Sequence, residues 1–191
     1  MNENIKLNIL KADSQFEEKD FYIWCQDVIL EIEEAWSCKD IDLLKSYETK
    51  ELFIIHQEQL KNMVERHVQN IVKDIDVKKI DIVGYESKND MDCIETHVEL
   101  ALIDYYQSLD SHEILQGSQI KKRSVKYRIV FVKDRNMVSN GFQTLRSLNV
   151  CPYCGAPIDL KKSNHCEYCQ RDIHARQSCY KINELEILTL I

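Results

Sequence analysis

Glycine and proline are scarce in this chain, four and two among 191 residues. That scarcity argues against long disordered linkers. No stretch approaches the ~20 consecutive apolar residues that a membrane-crossing helix needs. Residues 1–14 lack a basic start followed by an apolar core, so no secretory signal is expected there. Internal repeats and low-complexity tracts are absent. What remains is 44% hydrophobic and 30% charged, which reads as a soluble globular protein of one ordinary domain plus a small appendage. With no export signal, eight cysteines point to a reducing, cytoplasmic setting.

Four of those cysteines form the sharpest motif. Cys151 and Cys154, then Cys166 and Cys169, follow a C-x2-C-x11-C-x2-C spacing. Four thiolates so spaced can close a tetrahedral shell around one Zn²⁺, with backbone N–H groups of each turn spreading the sulfur charge. A shell filled by protein has no opening for water or substrate, so the expected cofactor is one structural zinc per chain. A redox pair is disfavoured because no βαβ unit surrounds either turn, and a disulfide framework needs an oxidising compartment. His165 is a reserve ligand beside Cys166. Cys179 reads as a spare thiol, and Cys25, Cys38 and Cys93 as small core residues.

Charge is unevenly placed. Residues 1–120 carry 26 acids against 12 bases, whereas 121–146 carry eight bases against Asp134 alone. Lys121, Lys122, Arg123, Lys126 and Arg128 could therefore meet an anionic surface. The plainer reading is a solvated strand face paired with acids.

Periodicity predicts helices first. Ser14 to Glu17 has capping-box spacing. Phe21, Trp24, Cys25, Val28, Ile32, Ala35 and Trp36 then recur with helical period to about Cys38. Asp40 is expected to cap a short second helix. Thr49 is expected to cap a third, whose stripe is Leu52, Phe53, His56, Leu60, Met63, Val64 and His67. After residue 70 the period becomes two. Strands are expected over Asp74–Ser87 (with Gly84 a bulge), Cys93–Tyr106 and Ser124–Lys133, with turns at Asn89-Asp90 and Asn140-Gly141. Leu109–Gln119 reads as an exposed connection. The apolar tail 180–191 should dock on the main domain, on the cysteine module or on a second copy of the chain. Helices followed by antiparallel strands make an α+β fold, helices packed on one face of a curved sheet. The expected division is 14–147, 148–175 for a zinc ribbon, and 176–191 for the tail.

Particular runs bear a family resemblance. Glu34-Ala35-Trp36, Tyr47-Glu48-Thr49 leading into Leu52 to His56, Leu100 to Tyr105, and Tyr127 to Val132 resemble the Tim44-like domain. The run from Cys151 to Asp159, with Cys166-Glu167-Tyr168-Cys169, resembles the zinc ribbon that bacterial members carry after that domain. The resemblance implies a cone-shaped fold of the nuclear-transport-factor-two-like superfamily. It also implies peripheral association with membranes and a docking role like that of the namesake, a peripheral subunit of the mitochondrial import motor. It implies no catalytic residue set. Two departures from the family pattern bear on these expectations: residues 1–15 offer no counterpart of the namesake's long N-terminal region, so chaperone tethering is not expected of them, and Gln170 stands where glycine is common after such a turn.

Three functions follow as expectations. First is a non-enzymatic binding or scaffold protein, its helix–sheet pocket holding an apolar ligand, lipid or peptide, its ribbon a platform for a protein partner. The pocket candidates are Trp24, Trp36, Phe53, His56, Tyr85, Asp104, Tyr105 and Phe131. Second is a small pocket enzyme with Asp104 and His56 as acid–base groups, which requires both to open into one cavity. Third, and least favoured, is nucleic-acid binding through the ribbon and 121–146. Tyr127 and Phe131 alternate against Lys126 and Arg128, so base stacking and phosphate contact would fall on opposite faces.

Overall fold

The computed structural model describes residues 1–139, 142, 150, 151, 154–158, 165–171 and 178–190. Among the described residues, four helices, α1 (Glu3–Ala12), α2 (Glu18–Cys38), α3 (Ile41–Tyr47) and α4 (Lys50–Glu65), precede five strands. These are β1 (Val68–Lys88), β2 (Met91–Ser108), β3 (Ile114–Gly117), β4 (Arg123–Asp134) and β5 (Lys181–Leu190). The sheet is antiparallel in order β1-β2-β4-β5, with β3 pairing β2 beside β4. The expected α+β architecture is what the chain adopts. The Asn140-Gly141 turn, the segment 144–149 with Arg146, and Ile191 lie outside the described residues.

The long α2 buries Phe21, Trp24, Cys25, Val28, Ile29, Ile32 and Ala35 on one stripe. Lys39 ends it in the left-handed conformation, returning its N–H to Ala35 and Trp36. Asp40 and Thr49 cap α3 and α4 as expected, accepting from the Leu43 and Leu52 amides. The capping box at Ser14–Glu17 does not form, for Glu17 makes no side-chain cap bond. Asp13 organises that turn instead, accepting from the Gln15 amide while its carboxylate also binds Ser139. The helix α1 was not expected. Asn2 caps it and Ile9 is its one fully buried residue, too short a stripe to stand out in sequence. On α4 only Leu52 and Leu60 are buried. Val64 is half exposed, and His67 lies beyond the helix end at positive φ. The expected stripe is therefore narrower, because α4 touches the sheet along its rim.

Period two gives the sheet. On β2, Ile94, Thr96, Val98, Leu100 and Leu102 are buried and the intervening residues are not. Asn89 and Asp90, both at positive φ, turn β1 into β2. Register slips in β1 at Lys73/Asp76, Val77/Lys79 and Ile82/Gly84 bend this 21-residue strand, so the sheet curls around the helices. The apolar tail docks on the main domain as β5: Tyr127 pairs with Ile187 and Phe131 with Ile182. The Thr49 amide donates to the Ile182 carbonyl, tying the α3–α4 junction to that strand.

Phe16, Phe21, Trp24, Phe131, Phe142 and Tyr180 make an aromatic core at one end of the helix–sheet interface. Beneath it sits a charged knot. Lys133 is fully buried and donates to Asp92 (2.8 Å) and to the Met137 carbonyl (2.9 Å), with Asp13 at 3.9 Å. Tyr85 and Ser87 complete the shell of Asp92.

Candidate functional site

At the other end the interface opens into a cavity of about 610 Å³. Its walls come from α2, α3, α4, β1, β2, β4 and β5, with the β3–β4 loop at the rim. Ile32, Leu44, Val72, Leu185 and Ile187 supply apolar surface. Three polar groupings interrupt it. Trp36 Nε1 donates to Asn70 Oδ1 (2.9 Å), Asn70 Nδ2 donates to Asp104 Oδ1 (2.6 Å), and Arg123 Nη2 donates to Asp104 Oδ2. His56 Nδ1 lies 2.7 Å from Glu48 Oε1, the ring standing edge-on to Trp36. Tyr127 Oη donates to Glu33 Oε1 at 2.8 Å. Burial pushes the Glu33 carboxyl up to about 7 against the pull of that hydrogen bond; Asp104 adds to the rise, while His56 and Arg123 oppose it.

Gly117 fixes the rim. Its φ is +85°, and a Cβ there would stand 2.3 Å from the Asp104 carbonyl oxygen, so only glycine lets β3 lie this close to β2. The next residues, Ser118 to Lys122, turn back over the opening, with Ser118 Oγ accepting from the Ile120 and Lys121 amides. Lys121 and Lys122 are exposed and line the cavity, so its mouth is basic.

The structure splits the expected pocket set. Trp36, His56, Asp104 and Tyr105 line the cavity. Trp24 and Phe131 do not: they face each other in the aromatic core, ring centroids 5.0 Å apart. Tyr85 belongs to the Asp92 shell, and Phe53 packs beside Lys45. The basic stretch also divides. Lys121, Lys122 and Arg123 reach the cavity, whereas strand alternation sends Lys126 and Arg128 to the outer face. There Lys126 meets Glu99, and Arg128 meets Glu95 and Glu184. That pair is therefore spent on carboxylates rather than free for an anionic surface. Sequence reasoning missed Glu33, Glu48, Asn70 and Tyr127. Glu33 carries no apolar signal, so the helical stripe is read without it. Yet it stands four residues after Ile29 and three before Trp36, which is core-facing spacing.

The cysteine cluster lies between β4 and β5 in the chain. The four Sγ atoms of Cys151, Cys154, Cys166 and Cys169 all fall within 4.8 Å of one another. Cys151 and Cys169 are 3.8 Å apart, Cys154 and Cys166 3.7 Å. A tetrahedral ion with ~2.3 Å metal–sulfur bonds sets its ligands about 3.8 Å apart, while a disulfide needs ~2.05 Å. The donor set thus fits one tetrahedral metal ion. Each turn closes alike: the Gly155 amide donates to the Cys151 carbonyl and the Gln170 amide to the Cys166 carbonyl. Gln170 holds positive φ where glycine is easier, and its side-chain amide ties back to the Glu167 carbonyl. Cys151 and Cys166 pack against Leu43 of α3.

A helical layer on a curled antiparallel sheet, with a part-polar cavity between them, defines an α+β architecture. The chain belongs to the Tim44-like domain family, whose model matches residues 7–144. No curated protein matches it. No described helix is long and apolar enough to cross a membrane.

Proposed function

We propose that this chain is a non-enzymatic binding protein whose cavity holds an acidic amphiphile, loaded at the inner surface of an anionic membrane. Tim44-like domains serve binding or scaffold roles and are generally not enzymes. The observation that carries the reading is the cavity's polarity. Lys121 and Lys122 stand at the mouth, and Ile32, Leu44, Leu185 and Ile187 lie within, matching an acid head and an apolar body. Ile120, 90% exposed between Ser118 and the two lysines, offers an apolar tip in a basic rim suited to headgroups. The four-thiolate shell holds Zn²⁺, which supplies no chemistry but rigidity, bracing α3 through Leu43 as a platform for a protein partner. Free cysteines accord with a reducing cytoplasm.

Flotation with phosphatidylglycerol-containing vesicles and with phosphatidylcholine vesicles tests the membrane part. Binding should be confined to the anionic vesicles and fall when Ile120→Ser and Lys122→Ala are combined. Native mass spectrometry tests the cavity. Absence from both vesicle types, with no acid taken up from added dodecanoate, refutes the reading.

One observation favours a second reading. Asp104 and His56 do open into the same cavity, as acid–base catalysis would require. Asp104, however, is held by Arg123 and Asn70, while His56 is bonded to Glu48 through Nδ1. Asp104 is therefore not free to act as a base, and binding accounts for more of the site.

A further inference from the structure

Within the proposed amphiphile cavity one group remains without an evident task. Glu33 is only 7% exposed, although a lone carboxyl in an apolar wall is costly. Tyr127 occupies Glu33 Oε1 alone. Glu33 Oε2 takes no hydrogen bond from any described residue, and it is not sealed as Glu48 Oε2 and Arg123 Nε are, so it opens onto the cavity. A glutamine or leucine would fill the place at lower cost.

We infer that Glu33 and Tyr127 form an inner polar subsite, which reads a hydroxyl on the ligand's tail and makes binding proton-linked. The inference rests on the amphiphile reading. Arg123 and Tyr127 lie on the same face of β4, four residues apart, which places their backbones ~13 Å apart. An acid head held by Lys121 and Lys122, next to Arg123 at that end of β4, therefore brings the far part of a medium acyl chain to Glu33. The ligand class is an oxygenated fatty acid rather than a plain one.

The charged groups around Glu33 set the sign. Arg123 on β4 is neutralised by Asp104 on β2, and His56 on α4 is paired with Glu48 at the end of α3. Tyr127 presents a hydroxyl, not a charge. Glu33 is the carboxyl that burial poises near neutrality in this wall. A bare methyl tail against it favours the neutral carboxyl, so a plain acid binds with proton uptake and weakens as pH rises. A tail hydroxyl can donate to the carboxylate or accept from the neutral acid, so it tolerates both states.

The test is calorimetric titration of the full chain with dodecanoate and with its ω-hydroxy analogue, near pH 6 and near pH 8. Near pH 8 the hydroxy acid should bind about tenfold tighter, the ratio expected when a buried carboxylate would otherwise lose its partner. Near pH 6 the gap should narrow. Glu33→Gln, close in shape, should keep both acids bound and make the ratio independent of pH; Glu33→Leu should invert the preference. Equal affinities at both pH values, or an unchanged ratio in Glu33→Leu, overturn the inference and leave the cavity reading standing. Failure of both acids to bind the parent chain overturns both.

Discussion

Replacing Glu33 by glutamine should stabilise the fold by an amount that grows as pH rises from about 4.5 to 7 and is full above that. The carboxyl's ordinary value is 4.5, and burial lifts it to about 7. Each unit by which the group's pKa differs between folded and unfolded chain is worth about 1.4 kcal/mol. The folded chain therefore resists ionising Glu33 by up to about 3 kcal/mol. The sign follows from proton binding. Between about pH 4.5 and 7 the folded state holds the proton that the unfolded state has released, so stability falls as pH rises through that window. Below it both states are protonated; above it both are ionised and the penalty is constant. Glutamine keeps the acceptor for Tyr127 and removes the penalty. Thermal melts across pH 4–8 should show parent and variant together at the acid end, then diverging to roughly 10 °C in favour of the variant. A constant gap across that range, or a parent that gains on the variant as pH rises, would refute the reasoning.

Lys133→Ala strands Asp92 and Asp13 without their buried cation. It should cost about 3–5 kcal/mol by chemical denaturation, and a loss under 1 kcal/mol would mean the knot is solvated. Gly117→Ala drives a Cβ into the Asp104 carbonyl and should weaken dodecanoate binding more than it lowers Tm, because the damage falls on the rim loop. Chelation should free four thiols to a colorimetric reagent and melt the segment around Leu43 before the sheet, given metal-binding energies on the order of 10 kcal/mol. Equal thiol reactivity with and without chelator would mean that no metal is held.

Much of this was legible in the sequence because the signals were periodic and local. The alternation on β2, the Asp40 and Thr49 caps and the paired Cys-x-x-Cys turns each depend on a few neighbouring residues. The aromatics were harder. Trp24 and Trp36 share one helix and one apolar stripe, yet Trp24 meets Phe131 in the core while Trp36 reaches Asn70 in the cavity. Periodicity gives the face of a helix, not what lies opposite each position. Short segments also escaped: α1 buries one residue fully, and β3 is four residues held by Gly117. Glu33 and Glu48 escaped because a carboxylate reads as solvent-facing until the fold closes over it.

The chain's two tryptophans offer the most direct trial of the cavity. In a proton–nitrogen correlation spectrum of the labelled protein, two indole N–H signals should be resolved and followed as dodecanoate is added. The Trp36 signal should shift and saturate, since its N–H lies in the cavity wall on Asn70, while Trp24, enclosed in the aromatic core, should hold still. Two unmoved signals at saturating dodecanoate, or a shift at Trp24 without one at Trp36, would contradict the assignment of this cavity as the binding site.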